Sequence, residues 1–551
     1  MPTTEELELD VAVKKVLESK SPKKLVVAGP GAGKTTLFEK LLDQTPGDAS
    51  QRLVLTFINN LRADLQRSLG SKATVNTLHG YCQLLLRRHA ALRGDLTADF
   101  VCHPGLVSHI KKDWSWLHGG IAPKFVDLMR NLNCTKEQED FYRGRADYYD
   151  AIDFDDSVYR VYRQLTDDPA SIPPYELVLI DEFQDFNKME AEIVNLLGRA
   201  SPIIIAGDDD QALYSKLRGA SWDHIRIHHA GGEYEVFMLP FCMRCPEVVV
   251  GAVSDVLARA LGESKLAGRI EKPFRYFAPA KGADSKLHPQ IDLVRTSVQS
   301  GRANYFGRYV EKVIRAVPEV DFEKANEKHE PCVLVIGSKP YLPQVYQHLV
   351  NQGILADNTK EKRNERNEGL GILAANSKSN LGWRILLAFG DQVQARVCVR
   401  EAAEREVALV EVIPEPMRTE ILEEAARYAA LIAAEPLEEE ETEPTTPRVL
   451  LTSFEGSKGL SAQYVILVGL HDGDLPRNPA NISDIEICKF LVGLTRTKKK
   501  CTIIFCRRFG IIPKALSTFI GWILRDRFCT IDISAAYWSA PVIAPVLPPH
   551  A

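Results

Sequence analysis

The sequence predicts an α/β fold built from two parallel-sheet units, each covered by helices. Short apolar runs typical of buried strands alternate with segments that have helical spacing. In the first half of the chain these runs are residues 24–29, 53–57, 177–180 and 203–206. They return later at 333–337, 449–452, 464–469 and 501–506. Because these strands are apolar throughout rather than alternating, we expect helices on both faces of each sheet.

Two stretches interrupt the sheet units. The first is helix-like and aromatic-rich, and the second begins with a charged stretch and closes with an acidic, Pro-bearing run that is typical of a solvated linker. The expected organisation is a first unit at 1–83 and 166–235, a helical insert at 84–165, a second unit at 236–355 and 447–515, a reduced second insert at 356–446, and a C-terminal extension at 516–551 with a Pro-rich tail.

Composition sets only broad limits. The 551 residues include 68 basic and 73 acidic side chains, a net charge of −5, so any nucleic-acid surface must come from local clustering of charge. Among 11 cysteines, only Cys242 and Cys245 form a CxxC pair, which we interpret as two buried thiols in a reducing compartment. The acidic N-terminus and the lack of a long apolar run predict a cytoplasmic protein without a membrane span.

The strongest local signal is AGPGAGKTT at residues 28–36, between a predicted strand and a predicted helix. Its glycines allow a tight turn that points backbone amides at phosphate oxygens, and the helix adds its positive end. In this P-loop pattern Lys34 reaches the β- and γ-phosphates and the Thr35 hydroxyl ligates Mg²⁺. The strict pattern begins with glycine, where this chain has Ala28. The predicted nucleotide contacts are Gly29, Pro30, Gly31, Ala32, Gly33, Lys34, Thr35 and Thr36.

A second signal is LVLIDEFQD at residues 177–185, an apolar strand that delivers two carboxylates at its carboxyl end. Ligands bind at this end of the strands in α/β sheets. Asp181 suits Mg²⁺, and Glu182 suits the base that orients an attacking water. Placed well after a P-loop, this segment predicts hydrolysis of a nucleotide.

Further segments resemble, in order and spacing, motifs of the UvrD/Rep/PcrA kind of superfamily 1 DNA helicase. They are IIIAGDDDQALY at 203–214, LPFCMRCPEVV at 239–249, LLTSFEGSKGLSAQYVILVGLHDGDLP at 450–476 and FLVGLTRTKKKCTIIFC at 490–506. The resemblance implies two RecA-like P-loop domains with helical 1B and 2B inserts, the second of them reduced. It also implies that Gln211 and Arg244 contact the γ-phosphate and that Arg496 is an arginine finger. Lys458 is a further cation from the second unit.

Two more segments, LTFINNLRADL at 55–65 and VNTLHGYC at 75–82, resemble those with which the family contacts single-stranded DNA. We regard Phe57, Tyr81 and Tyr214 as candidates for stacking on bases. Arg62, Thr77 and His79 are candidates for contacts with the DNA backbone. The predicted nucleic-acid residues are Phe57, Asn59, Arg62, Thr77, His79, Tyr214 and Arg218.

The chain departs from the family pattern at several positions. It has no glutamine near residues 6–16, where the family reads adenine. Tyr214 is not followed by the family's base-stacking tryptophan, for which Trp222 is a candidate replacement; otherwise Trp222 is a packed core residue. Glu455 and Ser461 stand where the family has histidine and glutamate, and we expect weaker contacts to the ribose at Ser461.

The resemblance implies an ATP-dependent translocase or helicase on single-stranded DNA that moves 3′→5′ and uses ATP with Mg²⁺. An alternative is a DNA-stimulated ATPase that senses or remodels DNA beside a nuclease partner, as in Gabija-type phage-defence systems. The reduced second insert and the missing tryptophan fit this alternative. A P-loop binding module without turnover is disfavoured, because a binder has no need of both Glu182 and Arg496. No nuclease constellation is visible in the sequence, so we expect no DNA cleavage by this chain alone.

Overall fold

The computed structural model describes residues 2–214, 218–358, 364–434 and 448–539. Within these ranges two large sheets form the frame, and every strand pair in them is parallel. The predicted α/β class is therefore confirmed. The acidic run near residue 440 and the Pro-rich tail lie outside the described residues. None of the helices in these ranges combines the length and the apolarity needed to cross a membrane.

The first sheet is buried on both faces. Its strands are β1 (Lys23–Ala28), β2 (Arg52–Thr56), β3 (Thr74–Thr77), β6 (Leu177–Ile180), β7 (Ile203–Gly207) and β8 (Glu235–Leu239). Their order across the sheet is β3–β2–β6–β7–β1–β8. Leu25 and Val27 of β1 belong to one hydrophobic cluster, and Val26 and Ala28 belong to another. Since successive side chains point to opposite faces, both faces are covered.

Helices connect and cover these strands, apart from a helical insert between β3 and β6. The connecting helices are α1 (Thr4–Glu18), α2 (Lys34–Gln44), α3 (Asn59–Leu69), α10 (Lys188–Ala200) and α11 (Asp223–Ala230). The first insert comprises α4 (Leu78–Arg88), α5 (Ala90–Arg93), β4 (Val101–Cys102), α6 (Leu106–Leu117), α7 (Phe125–Arg130), α8 (Lys136–Tyr149), β5 (Ala151–Ile152) and α9 (Phe154–Asp167). Trp114 packs edge-on against Phe125 and Phe141, so the predicted aromatic-rich stretch builds the core of this insert.

The second sheet repeats the parallel arrangement. Its strands are β11 (Ile291–Thr296), β12 (Val333–Gly337), β13 (Ala356–Asn358), β14 (Val449–Thr452), β15 (Ala462–Val468), β16 (Thr497–Cys506) and β19 (Phe528–Ile533), in the order β13–β14–β12–β15–β16–β11–β19. Its helices are α12 (Glu247–Gly262), α13 (Ala278–Leu287), α14 (Tyr305–Arg315), α15 (Glu319–Glu327), α16 (Leu342–Asn351), α22 (Asp484–Leu494), α23 (Thr518–Trp522) and α24 (Ala535–Ser539). Short pairs form from β9 (Phe241–Cys242) with β10 (Arg275–Tyr276), and from β17 (Arg508–Phe509) with β18 (Ile512–Pro513).

A second helical insert follows β13 and packs on the first insert. It contains α17 (Glu365–Ala375), α18 (Asn380–Leu387), α19 (Gln392–Arg405), α20 (Leu409–Val412) and α21 (Glu415–Ala434). Arg384 Nε of α18 donates to Asp113 Oδ1 of α6 at 2.9 Å, and both side chains are fully buried. Tyr148 Oη donates to the Val407 carbonyl at 2.9 Å. The two inserts therefore share one core.

The observed sheets shift three of the expected domain boundaries. β8 pairs with β1, so the first sheet extends to Leu239 instead of ending at residue 235. β13 falls in the expected second insert, and β19 falls in the expected C-terminal extension, yet both pair into the second sheet. All three are edge strands with partly exposed side chains. β13 and β19 lack the continuous apolar run of a central strand, whereas β8 has one at residues 236–239. The other boundaries stay predictions.

Candidate nucleotide-binding site

The glycine loop connects β1 to α2 and lies directly against the chain that carries Arg244. Gly31 and Gly33 have φ angles of +69° and +87°, in the left-handed region that favours glycine. A Cβ atom at Gly31 would lie 2.4 Å from Arg244 Cβ, so a larger residue does not fit there. The Met243 amide donates to the Gly31 carbonyl at 2.9 Å. The missing side chain at Gly31 thus lets Arg244 approach the loop.

Two carboxylates follow β6 at its carboxyl end, as the sequence predicts, and face the loop lysine. Lys34 Nζ donates to Glu182 Oε1 at 2.7 Å and lies 3.9 Å from Asp181 Oδ1. Gln184 Nε2 donates to the second oxygen of Glu182 at 2.6 Å. Glu182 has a φ of +54°, an unfavourable backbone conformation for a residue with a side chain. Such strain is held by its surroundings and is frequent at functional sites.

The surroundings of Asp181 and Glu182 shift the pKa values of the two carboxyl groups in opposite directions. Burial alone would raise the pKa of Glu182, but Lys34 and Lys458 lower it below its usual value, which keeps this carboxylate ionised. Burial raises the pKa of Asp181, and the neighbouring Glu182 adds to this effect. Asp181 Oδ1 is buried and accepts no hydrogen bond from the residues that the structure describes. A buried carboxylate oxygen in the same cleft as Thr35 fits the oxygen ligands of Mg²⁺.

Gln211 joins the two halves of the cleft. Its Nε2 donates to Asp208 Oδ2 at 2.8 Å, within the segment that follows β7. Its Oε1 accepts a hydrogen bond from Arg496 Nη2 at 3.0 Å, and its backbone carbonyl accepts one from Lys458 Nζ at 2.5 Å. Lys458 and Arg496 belong to the second sheet unit, so one glutamine of the first unit contacts two cations of the second.

Arg244 and Arg496 are guanidinium groups without a carboxylate partner among the described residues. Arg244 Nη1 donates to the Thr495 carbonyl at 3.4 Å. Arg496, which is 3% exposed, donates to the carbonyls of Val492 and Leu460. Burial and the neighbouring Arg244 lower the pKa of Arg496. Two adjacent cations that lack an anion are stabilised when an anion binds between the sheets.

The cleft as a whole is strongly positive and encloses about 1180 Å³, including the part open to solvent. Its walls contain three acidic groups, Asp181, Glu182 and Glu330. The basic groups are Lys34, Arg244, Lys281, Lys328, Lys458, Arg496 and Lys498. Pro30, Gly31, Ala32, Gly33 and Thr35 also line it, whereas Gly29 lies against the Phe274 ring and Thr36 is exposed on α2. This excess of positive charge matches a polyanion such as a triphosphate.

The aromatic side chains proposed to stack on DNA bases are less accessible than expected. Phe57 is only 4% exposed, its ring centroid lies 5.1 Å from that of Tyr214, and the Arg218 guanidinium lies 4.6 Å from the Phe57 ring centroid. Phe57 therefore cannot stack on a base in this conformation. Tyr81 was wrongly assigned: it lies in the core of the first unit, and its hydroxyl accepts a hydrogen bond from Tyr175 at 3.2 Å.

The polar residues proposed to contact the DNA backbone divide into buried and exposed groups. Thr77 caps α4, since its hydroxyl accepts a hydrogen bond from the Gly80 amide at 3.0 Å. His79 is buried, and its Nε2 lies 3.0 Å from Arg218 Nη2. Burial lowers the pKa of His79 to about 3, so the imidazole is neutral. Asn59 and Arg62 are exposed at the start of α3 and remain accessible to a strand of DNA.

The structure also shows the contacts of the residues that depart from the family pattern. Lys489 forms an ion pair with Glu455, and Ser461 lines the cleft. Trp222 is half-buried, with the Arg226 guanidinium 5.3 Å from its ring centroid. Cys242 and Cys245 are free and buried, which confirms that the CxxC pair consists of two buried thiols.

A group of cations that the sequence did not reveal fixes the GDDDQ segment. Lys272 Nζ lies 2.6–2.9 Å from a carboxylate oxygen of each aspartate at positions 208–210. Arg269 adds a two-pronged contact to Asp210, and Arg226 contacts Asp209. Three adjacent buried carboxylates require nearby cations. The run of three aspartates was therefore the one feature of the sequence that pointed to such cations. Because Gln211 is bonded to Asp208, this network also positions the glutamine.

We expect Lys272→Met to destabilise the protein strongly. The substitution leaves three buried carboxylates without their shared cation, and losing one partner of a buried ion pair costs roughly 3–5 kcal/mol of unfolding free energy. Urea denaturation followed by circular dichroism measures the change. Lys188→Met, at an exposed lysine of α10, is the control and should change stability by less than about 0.5 kcal/mol. Equal stability of the two variants would contradict a structural role for Lys272.

A P-loop between a strand and a helix, carboxylates at the end of a neighbouring strand and cations from a second parallel sheet define a P-loop protein with two RecA-like units. The UvrD/REP helicase N-terminal domain matches residues 9–119 and 122–228. The first part of the chain therefore carries a UvrD/REP helicase N-terminal domain, and the chain is similar to UvrD- and PcrA-type helicases.

Several curated proteins are similar over part of the chain. ATP-dependent DNA helicase UvrD1 of Mycobacterium leprae is 26% identical over 43% of this chain and 38% of its own length. ATP-dependent DNA helicase PcrA of Staphylococcus epidermidis is 26% identical over 36% of this chain and 33% of its own. DNA helicase II of Haemophilus influenzae is 23% identical over 42% of this chain and 38% of its own. The chain thus spans less than two fifths of the length of these relatives.

Proposed function

We propose that the protein hydrolyses ATP in the cleft between its two sheets and uses the cycle to move 3′→5′ along single-stranded DNA. The observation that supports this most directly is the set of contacts at Gln211, where Arg496 and Lys458 from the second unit meet the first. Since the P-loop and these cations face one cleft, a bound triphosphate would be held from both sides. Binding would then favour closure of the units, and hydrolysis would favour opening.

Each group of the cleft has a role in this proposal. Backbone amides of the loop and Lys34 bind the β- and γ-phosphates. Mg²⁺, held by Thr35 and Asp181, would neutralise charge on the phosphates. Glu182 orients the attacking water and accepts its proton. Gln211, Arg244 and Arg496 stabilise the charge that develops on the transferred phosphoryl group.

The ion pair between Lys34 and Glu182 suggests that nucleotide binding precedes the release of Glu182. Lys34 donates a hydrogen bond to Glu182, the carboxylate proposed as the base. A triphosphate offers Lys34 a more strongly charged partner and so draws it away from Glu182. We therefore expect nucleotide binding itself to release Glu182 from Lys34 for contact with the attacking water.

Tyr214 connects the proposed DNA site to the nucleotide cleft. Its hydroxyl donates to the Glu455 carbonyl at 3.0 Å, and its ring packs on Phe57. Lys458 Nζ, which bonds to Gln211, lies 5.9 Å from the Tyr214 ring centroid. A shift of the second unit that moves Lys458 would therefore also act on the Phe57–Tyr214 pair. We propose that opening of this pair exposes Phe57 for stacking on a base.

The central test is the rate of ATP hydrolysis with and without single-stranded DNA. We expect single-stranded DNA to raise the rate strongly, because DNA binding between the units favours the closed cleft. An unchanged rate with the full chain would reject the coupling of ATP hydrolysis to DNA. A 3′-tailed duplex compared with a 5′-tailed duplex then tests the direction of movement.

We expect Arg62→Ala to weaken DNA binding without regard to base sequence. Arg62 is exposed on α3 and is proposed to contact a phosphate, whose neutralisation releases counterions. The slope of log affinity against log salt should decrease by about 1. Fluorescence anisotropy with a labelled oligonucleotide measures this slope. Arg315→Ala, at an exposed arginine of α14, is the matched control; a salt slope equal to wild type in both variants would remove Arg62 from the DNA site.

A second candidate function is a DNA-stimulated ATPase that works beside a nuclease partner in phage defence and unwinds little by itself. The second insert supports this candidate, since its helix α18 is fixed to the first insert through the buried Arg384–Asp113 pair. An insert held in this way is less free to swing during unwinding. ATPase activity that DNA stimulates, without displacement of a strand from the 3′-tailed duplex, would favour this candidate over the helicase.

A further inference from the structure

A cluster of metal-ligand side chains lies outside the cleft, where the two helical inserts meet. His103 lies just before α6 and His109 lies on α6, in the first insert. Glu365 and Glu368 lie in the first turn of α17, in the second insert. His109 Nε2 is 3.0 Å from Glu365 Oε1, and His103 Nε2 is 3.9 Å from the same oxygen. Glu368 Oε2 is 3.4 Å from His103 Nε2.

These distances suit a single metal ion. A tetrahedral zinc site has bonds of about 2.0–2.1 Å to nitrogen and oxygen, which places its ligand atoms about 3.3 Å apart. The three measured separations lie on both sides of that value. One donor atom from each of His103, His109 and Glu365 lies within 4.8 Å of the others. Small rotations of these side chains would therefore bring them to bonding distance around an ion.

The chemistry of the donors favours a cation over a simple ion pair. Both histidines are almost fully buried, with exposures of 1% and 4%. Nearby Arg384 is already paired with Asp113, and Lys112 donates to Gln392. Within the described part of the chain, the ion-pair contacts of Glu365 are to the two imidazoles alone.

Gly105 shows how closely the chain packs around these donors. A Cβ atom at this position would lie 2.4 Å from Glu365 Oε1 and 2.7 Å from His103 Cε1. Its φ of −82° is open to any residue, so the restriction is steric and not conformational. The absence of a side chain at Gly105 allows the second insert to approach the histidines.

We propose that His103, His109 and Glu365 bind one divalent transition-metal ion, preferably zinc, which fastens the second insert to the first. Glu368, whose Oε2 lies 3.4 Å from His103 Nε2, would supply the fourth ligand after a rotation of its side chain. Four protein ligands leave no open position, so the site is structural and not catalytic. Imidazole nitrogens and carboxylate oxygens suit Zn²⁺, whereas Mg²⁺ and Ca²⁺ prefer oxygen ligands alone. The ion would join helices that are more than 250 positions apart in the chain, as the pair His109 and Glu365 shows.

Titration of the metal-stripped full chain with Zn²⁺ or Co²⁺ tests the site. We expect one ion per chain, with Co²⁺ giving the visible absorption of tetrahedral coordination. His109→Gln and Glu365→Gln should each weaken Zn²⁺ binding by more than about 100-fold, beyond the effect of losing an outer-shell partner. Glu365 is partly exposed, so its isosteric variant keeps the fold, which circular dichroism without metal verifies.

His348→Gln provides the matched control. His348 lies 2.8 Å from Glu311, a comparable histidine–carboxylate contact on the second unit, and no third potential metal ligand joins this pair among the residues that the structure describes. This variant should bind Zn²⁺ as the wild type does. Zn²⁺ should raise the thermal unfolding midpoint of the wild type and of His348→Gln, but not that of Glu365→Gln. The proposal is overturned if the wild type takes up no ion, or if Glu365→Gln binds Zn²⁺ as tightly as the wild type. Neither readout depends on ATP or DNA.

Discussion

Arg496→Ala should lower the turnover of ATP by about 10³–10⁵-fold, the range found when an arginine finger is removed. Arg496 is buried, lacks a carboxylate partner among the described residues and donates to Gln211 across the cleft. In the proposed reaction Arg496 would therefore stabilise the transition state with a charge that is already in position. Single-turnover hydrolysis at saturating ATP measures the effect on chemistry apart from nucleotide binding.

The variant Arg496→Lys tests whether the positive charge of Arg496 or the shape of its guanidinium group matters for hydrolysis. Arg496→Lys keeps a positive charge but loses the planar fork that reaches Gln211 and the backbone carbonyls together. We expect it to remain closer to Arg496→Ala than to wild type. Because Arg496 also holds the chain at Val492 and Leu460, thermal unfolding must be measured for both variants. A folded Arg496→Ala protein that retains a tenth or more of wild-type turnover would remove this residue from the catalytic set.

Glu182→Gln should lower ATP hydrolysis by about 10²–10⁴-fold, the usual contribution of a general base. The amide has the shape of the carboxylate but cannot accept a proton from water. The same change frees Lys34 from its anionic partner and removes a negative charge that faces the phosphates. We therefore expect nucleotide binding to be retained and to become tighter, so that the variant accumulates bound ATP.

Two measurements together test this expectation. Equilibrium binding of ATP and the hydrolysis rate should change in opposite directions in Glu182→Gln. Glu233→Gln, at an exposed carboxylate that pairs with Lys23, is the control and should change neither quantity. Loss of nucleotide binding in Glu182→Gln would assign the carboxylate a structural role at the loop instead of a catalytic one.

The local sequence was sufficient to identify the central strands, the P-loop and the order of the motifs. The apolar runs identified the central strands, since a strand buried on both faces carries mainly apolar side chains. The spacing of glycines, Lys34 and Thr35 identified the loop, because glycine adopts the left-handed backbone angles found at Gly31 and Gly33 without the steric cost of a side chain. The order of motifs assigned Gln211, Arg244 and Arg496 to one site, and the structure brings them together in one cleft.

Tertiary structure decided everything that depends on which distant segments meet. Local patterning could not show that Phe57 and Tyr81 are buried, because an aromatic side chain has the same local sequence whether it faces a base or a core. Nor did it reveal that Lys272 compensates the aspartates at 208–210, or that two histidines of one insert meet Glu365 of the other. A buried charge or hydrogen-bond donor is costly without a partner, so each one must be paired. The fold, and not the local sequence, determines which residue is that partner.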